Sequence, residues 1–237
     1  MCALLDCVMT ADSRFANYGP FFAVQTHLDA APAPPWRPLS DLVDDPAVLD
    51  GRTAAVRAAL AATARVPVDA VEVRVAASVT HLGLVARLVA PMLAAAATGT
   101  HVDYDAESLW WQDELGGPYP LSVSVAGAGT AAAAGPPAVV GAITDAVASR
   151  VRVSRRVLGG NVASAVNSAA RMMATARPDI GAAASRVADA MLADPALDGG
   201  TLRSGPGFRR RSCCLIYRIA GDPAAVCGDC VLAQAVD

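Results

Sequence analysis

The stretch FRRRSCCLIYRIAGDPAAVCGDCVL, residues 208–232, holds four of the six cysteines in a chain of 237 residues. They stand in two motifs, Cys213-Cys214 and Cys227-Gly228-Asp229-Cys230, separated by twelve residues. Thiolates are soft ligands, and the whole chain offers only three histidines as alternative ligands. The cysteines therefore predict a sulfur-ligated metal centre.

The residues between the two motifs predict a local hairpin. Leu215 to Ile219 alternates like a short strand, and Gly221-Asp222-Pro223 has the composition of a tight turn. Such a hairpin returns the chain so that Cys227 lies beside Cys214. The two-residue spacing within the second motif lets both of its sulfurs face one metal.

Other uses of four cysteines are weighed against this interpretation. Structural zinc also binds four thiolates, but its ligand pairs are separated by two to four residues, and adjacent cysteines chelate one tetrahedral ion poorly. Disulfides are typical of exported proteins. A redox dithiol of the thioredoxin type needs a helix that begins at Cys227. Seven residues follow Cys230, too few for that helix, so we do not expect such a dithiol. Zinc, disulfides and simple buried thiols remain as alternatives.

Composition limits the kind of protein that carries this segment. The formal charge of −3 is close to neutral and does not favour nucleic acid as a partner. With 54% hydrophobic residues the chain can bury a full core. Residues 1–6 lack the pattern of a secretory signal, so we expect a cytoplasmic protein. In that compartment clustered cysteines are more often metal ligands than disulfides.

One apolar segment needs testing as a membrane span. Residues 75–98 are mostly apolar, but they include His81, Arg87 and Pro91, which are costly or disruptive in hydrocarbon. Apolar residues recur at helical spacing from Leu82 to Met92. We predict a core helix, with at most peripheral association of the protein with a membrane.

The pattern along the chain predicts an α+β fold that is predominantly helical, with a small central antiparallel sheet. A glycine-rich stretch divides a body, residues 1–200, from a C-terminal cysteine segment, residues 201–237. Predicted elements are strands at residues 21–27 and 121–125, a helical region from Ser40, and helices near residues 52–65, 73–98, 139–150, 155–176 and 179–193, the last capped by Asp179.

The residues around the cysteines resemble a known family. Residues 208–218 and Cys227-Gly228-Asp229-Cys230 are similar to the C-terminal signature of the FhuF-type ferric siderophore reductases. The spacer in that family is usually slightly shorter than the twelve residues here. Weaker matches upstream are Ala77-Ser78, residues 117–121 and residues 158–164, where the family often has tryptophan in place of Gly159.

The resemblance implies that Cys213, Cys214, Cys227 and Cys230 bind a [2Fe-2S] cluster. It also implies a cytoplasmic reductase that transfers one electron to a ferric siderophore, of hydroxamate type, and so releases Fe(II). Since such a cluster cannot accept a hydride, an external ferredoxin or flavoprotein donor is expected. No catalytic acid, base or nucleophile is required beyond the cluster.

Four further residues are candidate contacts to the siderophore or to the electron donor. They are Arg209, Arg210, Arg211 and Asn161. Positive charge beside an anionic cluster favours its reduced form. A solvated basic run is the alternative for the arginines, and an N-cap or a helix contact is the alternative for Asn161.

Two other functions stay open from the sequence: a non-enzymatic [2Fe-2S] sensor or electron carrier, and a structural zinc module. Residues 127–132 fit a dinucleotide-binding pattern, but Pro136-Pro137 would end the following helix, so we predict a plain loop there. Cys2, Cys7 and the scattered histidines are assigned no role.

Overall fold

The structure is a computed structural model that describes residues 10–27, 32–100, 106–124, 136–220 and 226–234. Helices occupy most of these residues and one small sheet accompanies them, which confirms the predicted α+β class. The helices are α1 (Ser13–Ala16), α2 (Asp41–Asp44), α3 (Pro46–Ala64), α4 (Val73–Thr98), α5 (Ala138–Arg150), α6 (Arg155–Ala176), α7 (Gly181–Leu192) and α8 (Tyr217–Ala220). The strands are β1 (Thr10–Asp12), β2 (Val24–His27), β3 (Arg37–Pro38), β4 (Leu109–Trp111) and β5 (Leu121–Ser124).

The sheet is mixed, so the prediction of an antiparallel sheet is wrong. Its strand order is β1-β2-β5-β4-β3. β2 pairs with β5 in parallel, and the other pairings among the described strands are antiparallel. Parallel neighbours need a long crossover connection, which the helices α2 to α4 provide between β2 and β5. The alternation within each strand carries no information about that distant partner.

The helix α4 is the centre of the core. It packs against α3, α5, α6 and α7. Among the described residues it is the one helix long and apolar enough to cross a bilayer, yet 67% of its most apolar stretch is buried inside the fold. The burial confirms the predicted core helix.

Arg87 shows how this core accommodates a charge. The residue is 3% exposed, and its guanidinium donates to the backbone oxygens of Tyr119 at 2.8 Å, Phe21 at 2.9 Å and Ala23. A buried charge is tolerated when hydrogen bonds replace the lost water. Arg87 thereby connects α4 to the segments that precede β2 and β5.

Two helix starts differ from the prediction, for local reasons. α3 begins at Pro46 rather than near Arg52, because the Asp45 carboxylate accepts a hydrogen bond from the Ala47 N–H at 2.9 Å and caps the helix. Asp179 does not cap α7. It lies in a 3₁₀ turn before the helix, where its carboxylate pairs with Arg177 at 2.6 Å.

His81 gives the fold a predicted sensitivity to acid. Its side chain is 0% exposed, and Nε2 lies 2.9 Å from Thr144 Oγ1, whose own hydroxyl donates to the Val140 backbone oxygen at 2.7 Å. Nε2 therefore carries the proton and the imidazole is neutral. Burial lowers the pKa of His81 from 6.5 to about 3. Because the unfolded chain keeps the higher pKa, it binds a proton first as the pH falls, and stability present above pH 6.5 is lost toward pH 3.

We expect this histidine to cost the folded state about 2 kcal/mol at pH 5 relative to pH 7. The measurement is thermal unfolding of wild type and His81→Gln at both pH values. The glutamine amide can donate to the same Thr144 oxygen but does not titrate, so the variant should lose about 2 kcal/mol less than wild type. Equal losses in the two proteins would show that His81 takes up its proton without penalty.

Candidate metal centre

The structure brings the four cysteines of the C-terminal segment together. Cys214 Sγ lies 3.8 Å from Cys227 Sγ, and Cys213 Sγ lies 3.6 Å from Cys230 Sγ. All four are free thiols. Cys214 and Cys230 are buried, whereas Cys213 and Cys227 are half-buried. Each of the two close pairs therefore contains one buried and one half-buried cysteine.

Turns, and not strands, position these sulfurs. The predicted strand from Leu215 to Ile219 is wrong, because Leu215 adopts a positive φ of 71° and α8 follows it. The Leu215 N–H donates to Cys213 Sγ at 3.3 Å, and the Leu232 N–H donates to Cys230 Sγ at 3.4 Å. Hydrogen bonds from backbone N–H groups to sulfur therefore hold these cysteines, where the sequence predicts hydrogen bonds between strands. The predicted turn at residues 221–223 lies outside the described residues.

The sulfurs form two pairs whose spacing fits two metal ions. Two thiolates on one tetrahedral ion, with metal–sulfur bonds of about 2.3 Å, lie about 3.8 Å apart. The observed separations of 3.6 and 3.8 Å match that geometry. Within the described part of the chain, no three His, Cys, Asp or Glu side chains converge on a point that could hold one ion. Four thiolates in two pairs suit a dinuclear [2Fe-2S] cluster.

The pairing crosses between the two sequence motifs. Cys227 and Cys230 were expected to face one metal together, but each has its close contact with one member of Cys213-Cys214. Adjacent residues chelate one ion poorly, so the vicinal motif divides between two positions. Each position then takes its second sulfur from the other motif.

Arg210 places a buried positive charge beside one of these pairs. The residue is 1% exposed, and its Nη2 donates to Cys227 Sγ and lies 3.6 Å from Asp229 Oδ1. Its Nη1 donates to Asn161 Oδ1 at 3.2 Å. The Nε–H is also buried and has no hydrogen-bond partner among the described residues. One donor is thus left for a group that binds here.

The pair Cys214 and Cys227 is prepared for metal chiefly by the hydrogen bond between its two sulfurs, and Arg210 makes a smaller contribution. The hydrogen bond from Cys227 lowers the pKa of Cys214 to about 5, and the Ile216 N–H and the Arg210 charge act in the same direction. The same hydrogen bond raises the pKa of Cys227, so that the pair shares one proton. Burial raises the pKa of Cys213 to about 11. Since metals bind thiolates, Cys214 is already in its binding form at neutral pH.

Asn161 connects this arginine to the helical body. The residue lies on α6 with 0% exposure, and its Nδ2 donates to the backbone oxygen of Ser78 at 3.0 Å and to Ser78 Oγ at 3.1 Å. Ser78 belongs to α4. The hydrogen bonds therefore run from the central helix through Asn161 and Arg210 to Cys227.

Two adjacent glycines allow close packing at the same place. A Cβ on Gly160 would overlap Ser212 Oγ, which donates to the Arg156 backbone oxygen at 2.9 Å. A Cβ on Gly159 would lie 2.7 Å from the Ala196 backbone oxygen. The tryptophan that the resembling family often carries at this position does not fit on the present backbone.

The structure separates the four candidate contact residues into two kinds. Asn161 and Arg210 are buried, so neither side chain is available to touch a siderophore or a partner, and both support the centre from inside. Asn161 is not an N-cap either, since Ser154 caps α6. Arg209 and Arg211 are exposed and stay candidates for contacts.

A polar hollow of about 320 Å³ opens on the surface beside the cysteine segment. It is lined by Arg155, Arg156, Pro195, Ala196, Asp198, Gly199 and Arg211. Three of these residues are arginines, and the Arg211 N–H donates to the Asp198 carboxylate at 3.1 Å. The hollow is thus fixed to the segment two residues before Cys213.

Sequence reasoning missed three residues that support the centre: Ser78, Asp229 and Ser212. Ser78 belongs to an upstream match with the resembling family, but nothing in the sequence connects it with a residue more than eighty positions away. Asp229 had a signal, because it is the one charged residue inside the Cys-x-x-Cys motif. Ser212 had none, since its partner is a backbone oxygen.

The other candidates do not join this site. His27 bonds Ser122 Oγ at 2.8 Å in the sheet, and His81 lies in the core. His101, Cys2, Cys7 and the loop at residues 127–132 lie outside the described residues.

Comparison with known families agrees with this geometry. Residues 210–232 match the family model of the FhuF 2Fe-2S C-terminal domain. This segment carries the FhuF-type signature. The matched residues contain all four paired cysteines together with Arg210 and Asp229, and the cofactor of the FhuF-type segment is a [2Fe-2S] cluster. Comparison with curated proteins and with solved structures found no match.

Proposed function

We propose that the protein transfers one electron to ferric iron held by a siderophore, of hydroxamate type, and so releases Fe(II) in the cytoplasm. The observation that carries this proposal is the FhuF-type segment with its four thiols. They form two pairs, each with the sulfur–sulfur separation expected for two ligands of one tetrahedral ion. A [2Fe-2S] cluster supplies one-electron transfer. The rest of the chain holds the segment and offers a surface for the chelate.

Reduction is enough to release the iron. Fe(III) is a hard cation that hydroxamate oxygens bind tightly, whereas Fe(II) carries less charge and is softer, so the same oxygens bind it far more weakly. No side chain has to move a proton for this step. The protein's contribution is to hold the sulfurs, exclude water from Cys214 and Cys230, and place positive charge nearby.

The surface hollow with Arg155, Arg156 and Arg211 is the proposed contact for the chelate. It adjoins the cysteine segment through Arg211, and Arg209 is exposed on the same run of arginines. Guanidinium groups donate to oxygen ligands without competing for the iron. The electron donor, a ferredoxin or a flavoprotein reductase, is expected to use the exposed edge of the half-buried Cys213 and Cys227.

A single-turnover experiment tests the function. Anaerobic protein is reduced with dithionite, freed of excess reductant, and mixed with ferric hydroxamate and ferric catecholate siderophores while its visible absorption is followed. We expect the hydroxamate complexes to oxidise the cluster, with one Fe(II) captured by a ferrous chelator for each cluster oxidised. Arg211→Gln should slow the reaction at low siderophore concentration, while Arg171→Gln serves as a matched control, because Arg171 is exposed near the other end of α6 and does not line the hollow.

The same experiment has an outcome that would contradict the reductase proposal. If no ferric siderophore oxidises the reduced protein faster than a small-molecule ferric salt does, the reductase proposal is wrong. A cluster that reduces and reoxidises normally in that experiment would then favour the sensor or electron carrier.

A further inference from the structure

The two sulfur pairs have different electrostatic surroundings. The pair Cys214 and Cys227 lies against the Arg210 guanidinium, which donates to Cys227 Sγ. The pair Cys213 and Cys230 receives neutral backbone N–H groups instead, from Leu215 at 3.3 Å and Leu232 at 3.4 Å. Arg210 keeps its positive charge, because a guanidinium does not lose its proton in proteins.

We propose that one iron of the cluster is bound by Cys214 and Cys227 and the other by Cys213 and Cys230, and that Arg210 makes the first of these the iron that holds the added electron. The proposal rests on the [2Fe-2S] cofactor and does not depend on a ferric siderophore being the oxidant. Arg210 does not touch iron in this proposal. It determines where the added electron resides, and it acts through the Cys227 sulfur to which it donates.

The redox step balances without a proton. A one-electron reductant such as dithionite converts two Fe(III) ions into one Fe(III) and one Fe(II), and no bond to sulfur is made or broken. The four thiolates stay bound, so the group gains one negative charge. Arg210 stabilises that charge beside Cys227, to which its guanidinium donates, and beside the paired Cys214.

The surrounding residues fix the guanidinium in that place. Nη1 is held by Asn161 Oδ1 at 3.2 Å, and the Arg210 backbone N–H donates to the Asp229 backbone oxygen at 3.1 Å. Burial excludes the water and salt that would screen a surface arginine. Asp229 Oδ1, 3.6 Å from Nη2, offsets part of the positive charge.

Four single cysteine-to-serine variants test which two cysteines bind the same iron. Serine in place of each cysteine in turn gives a harder oxygen ligand, which disfavours Fe(II) at the iron that it binds. We expect Cys214→Ser and Cys227→Ser to shift the reduced-to-oxidised ratio at a fixed potential by at least tenfold, about 59 mV for one electron. Cys213→Ser and Cys230→Ser should shift it less. Each pair contains one buried and one half-buried cysteine, so exposure cannot produce the same grouping.

Arg210 variants test the cause. Arg210→Gln keeps an amide donor but removes the charge, and should lower the reduced-to-oxidised ratio by at least tenfold, whereas Arg210→Lys should restore most of it. Arg52→Gln is the matched control, because Arg52 is also buried, at 5% exposure, but pairs with Asp113 in the body. The readouts are spectroelectrochemical potentials and EPR spectra of samples with full iron content.

The outcomes separate the possibilities. Grouping of Cys213→Ser with Cys214→Ser, or a larger shift from Cys213→Ser and Cys230→Ser, would overturn the assignment of the irons. An unchanged potential in Arg210→Gln would overturn the role of the arginine. If Arg210→Gln holds no cluster, a wild-type potential in Arg210→Lys together with the serine grouping supports the proposal, and a different grouping refutes it. None of these results depends on siderophore reduction.

Discussion

Asn161→Ala is expected to lower the apparent melting temperature by roughly 6–12 °C and to reduce the iron bound per chain. Asn161 accepts from the Arg210 guanidinium and donates twice to Ser78, all in the core. Alanine leaves a buried cation short of one acceptor and the Ser78 oxygens short of a donor. Hydrogen bonds to charged groups are worth more than neutral ones, so the loss is about 3 kcal/mol.

Asn167→Ala is the matched control for this variant. Asn167 lies on the same helix with 3% exposure, and its Oδ1 accepts from the Gly205 backbone N–H at 2.8 Å. Only a neutral hydrogen bond is lost there, at a cost of about 1 kcal/mol. Melting followed by circular dichroism and iron analysis under anaerobic conditions compare the two. If both variants lose the same stability and retain full iron, the hydrogen bond from Arg210 to Asn161 does not stabilise the centre.

Local patterns in the sequence predicted the helical body well. α6 runs from Arg155 to Ala176 as predicted, and the burial of α4 follows from its apolar spacing. These features depend on residues close in sequence, where helical periodicity and capping act. The parallel pairing of β2 with β5 depends on a chain path across about a hundred residues, and no local pattern encodes it.

The candidate metal centre also has features that local sequence predicts and features that it does not. The four cysteines were evident from their number and spacing, but the way in which they pair was not. Spacing predicted that Cys227 and Cys230 face one metal, whereas the fold sets each beside a member of the vicinal motif. The run of three arginines predicts positive charge beside the cluster, but a run of like residues does not reveal which one the packing buries.

Gly160→Ala is expected to destabilise the protein by about 2 kcal/mol even though alanine is the better helix former. The new Cβ overlaps Ser212 Oγ, so either Ser212 rotates and gives up its bond to the Arg156 oxygen, or the segment moves away from α6. The second response would displace Cys213, the next residue. Gly83→Ala is the control, because that helical position is exposed and open, and alanine there should stabilise by about 0.5–1 kcal/mol.

A second substitution identifies the cause of this loss. Ser212→Ala alone should cost about 1 kcal/mol, for one hydrogen bond. Combined with Gly160→Ala it removes the overlapping oxygen, and the nearest remaining atom, Ser212 Cβ, lies 3.4 Å from the new methyl group. The double variant should therefore be more stable than Gly160→Ala, since the helix gains from alanine and the clash is gone. Additive losses in thermal unfolding would mean that Gly160 is required for some reason other than its contact with Ser212, and that the cysteine segment does not dock on α6 through this pair.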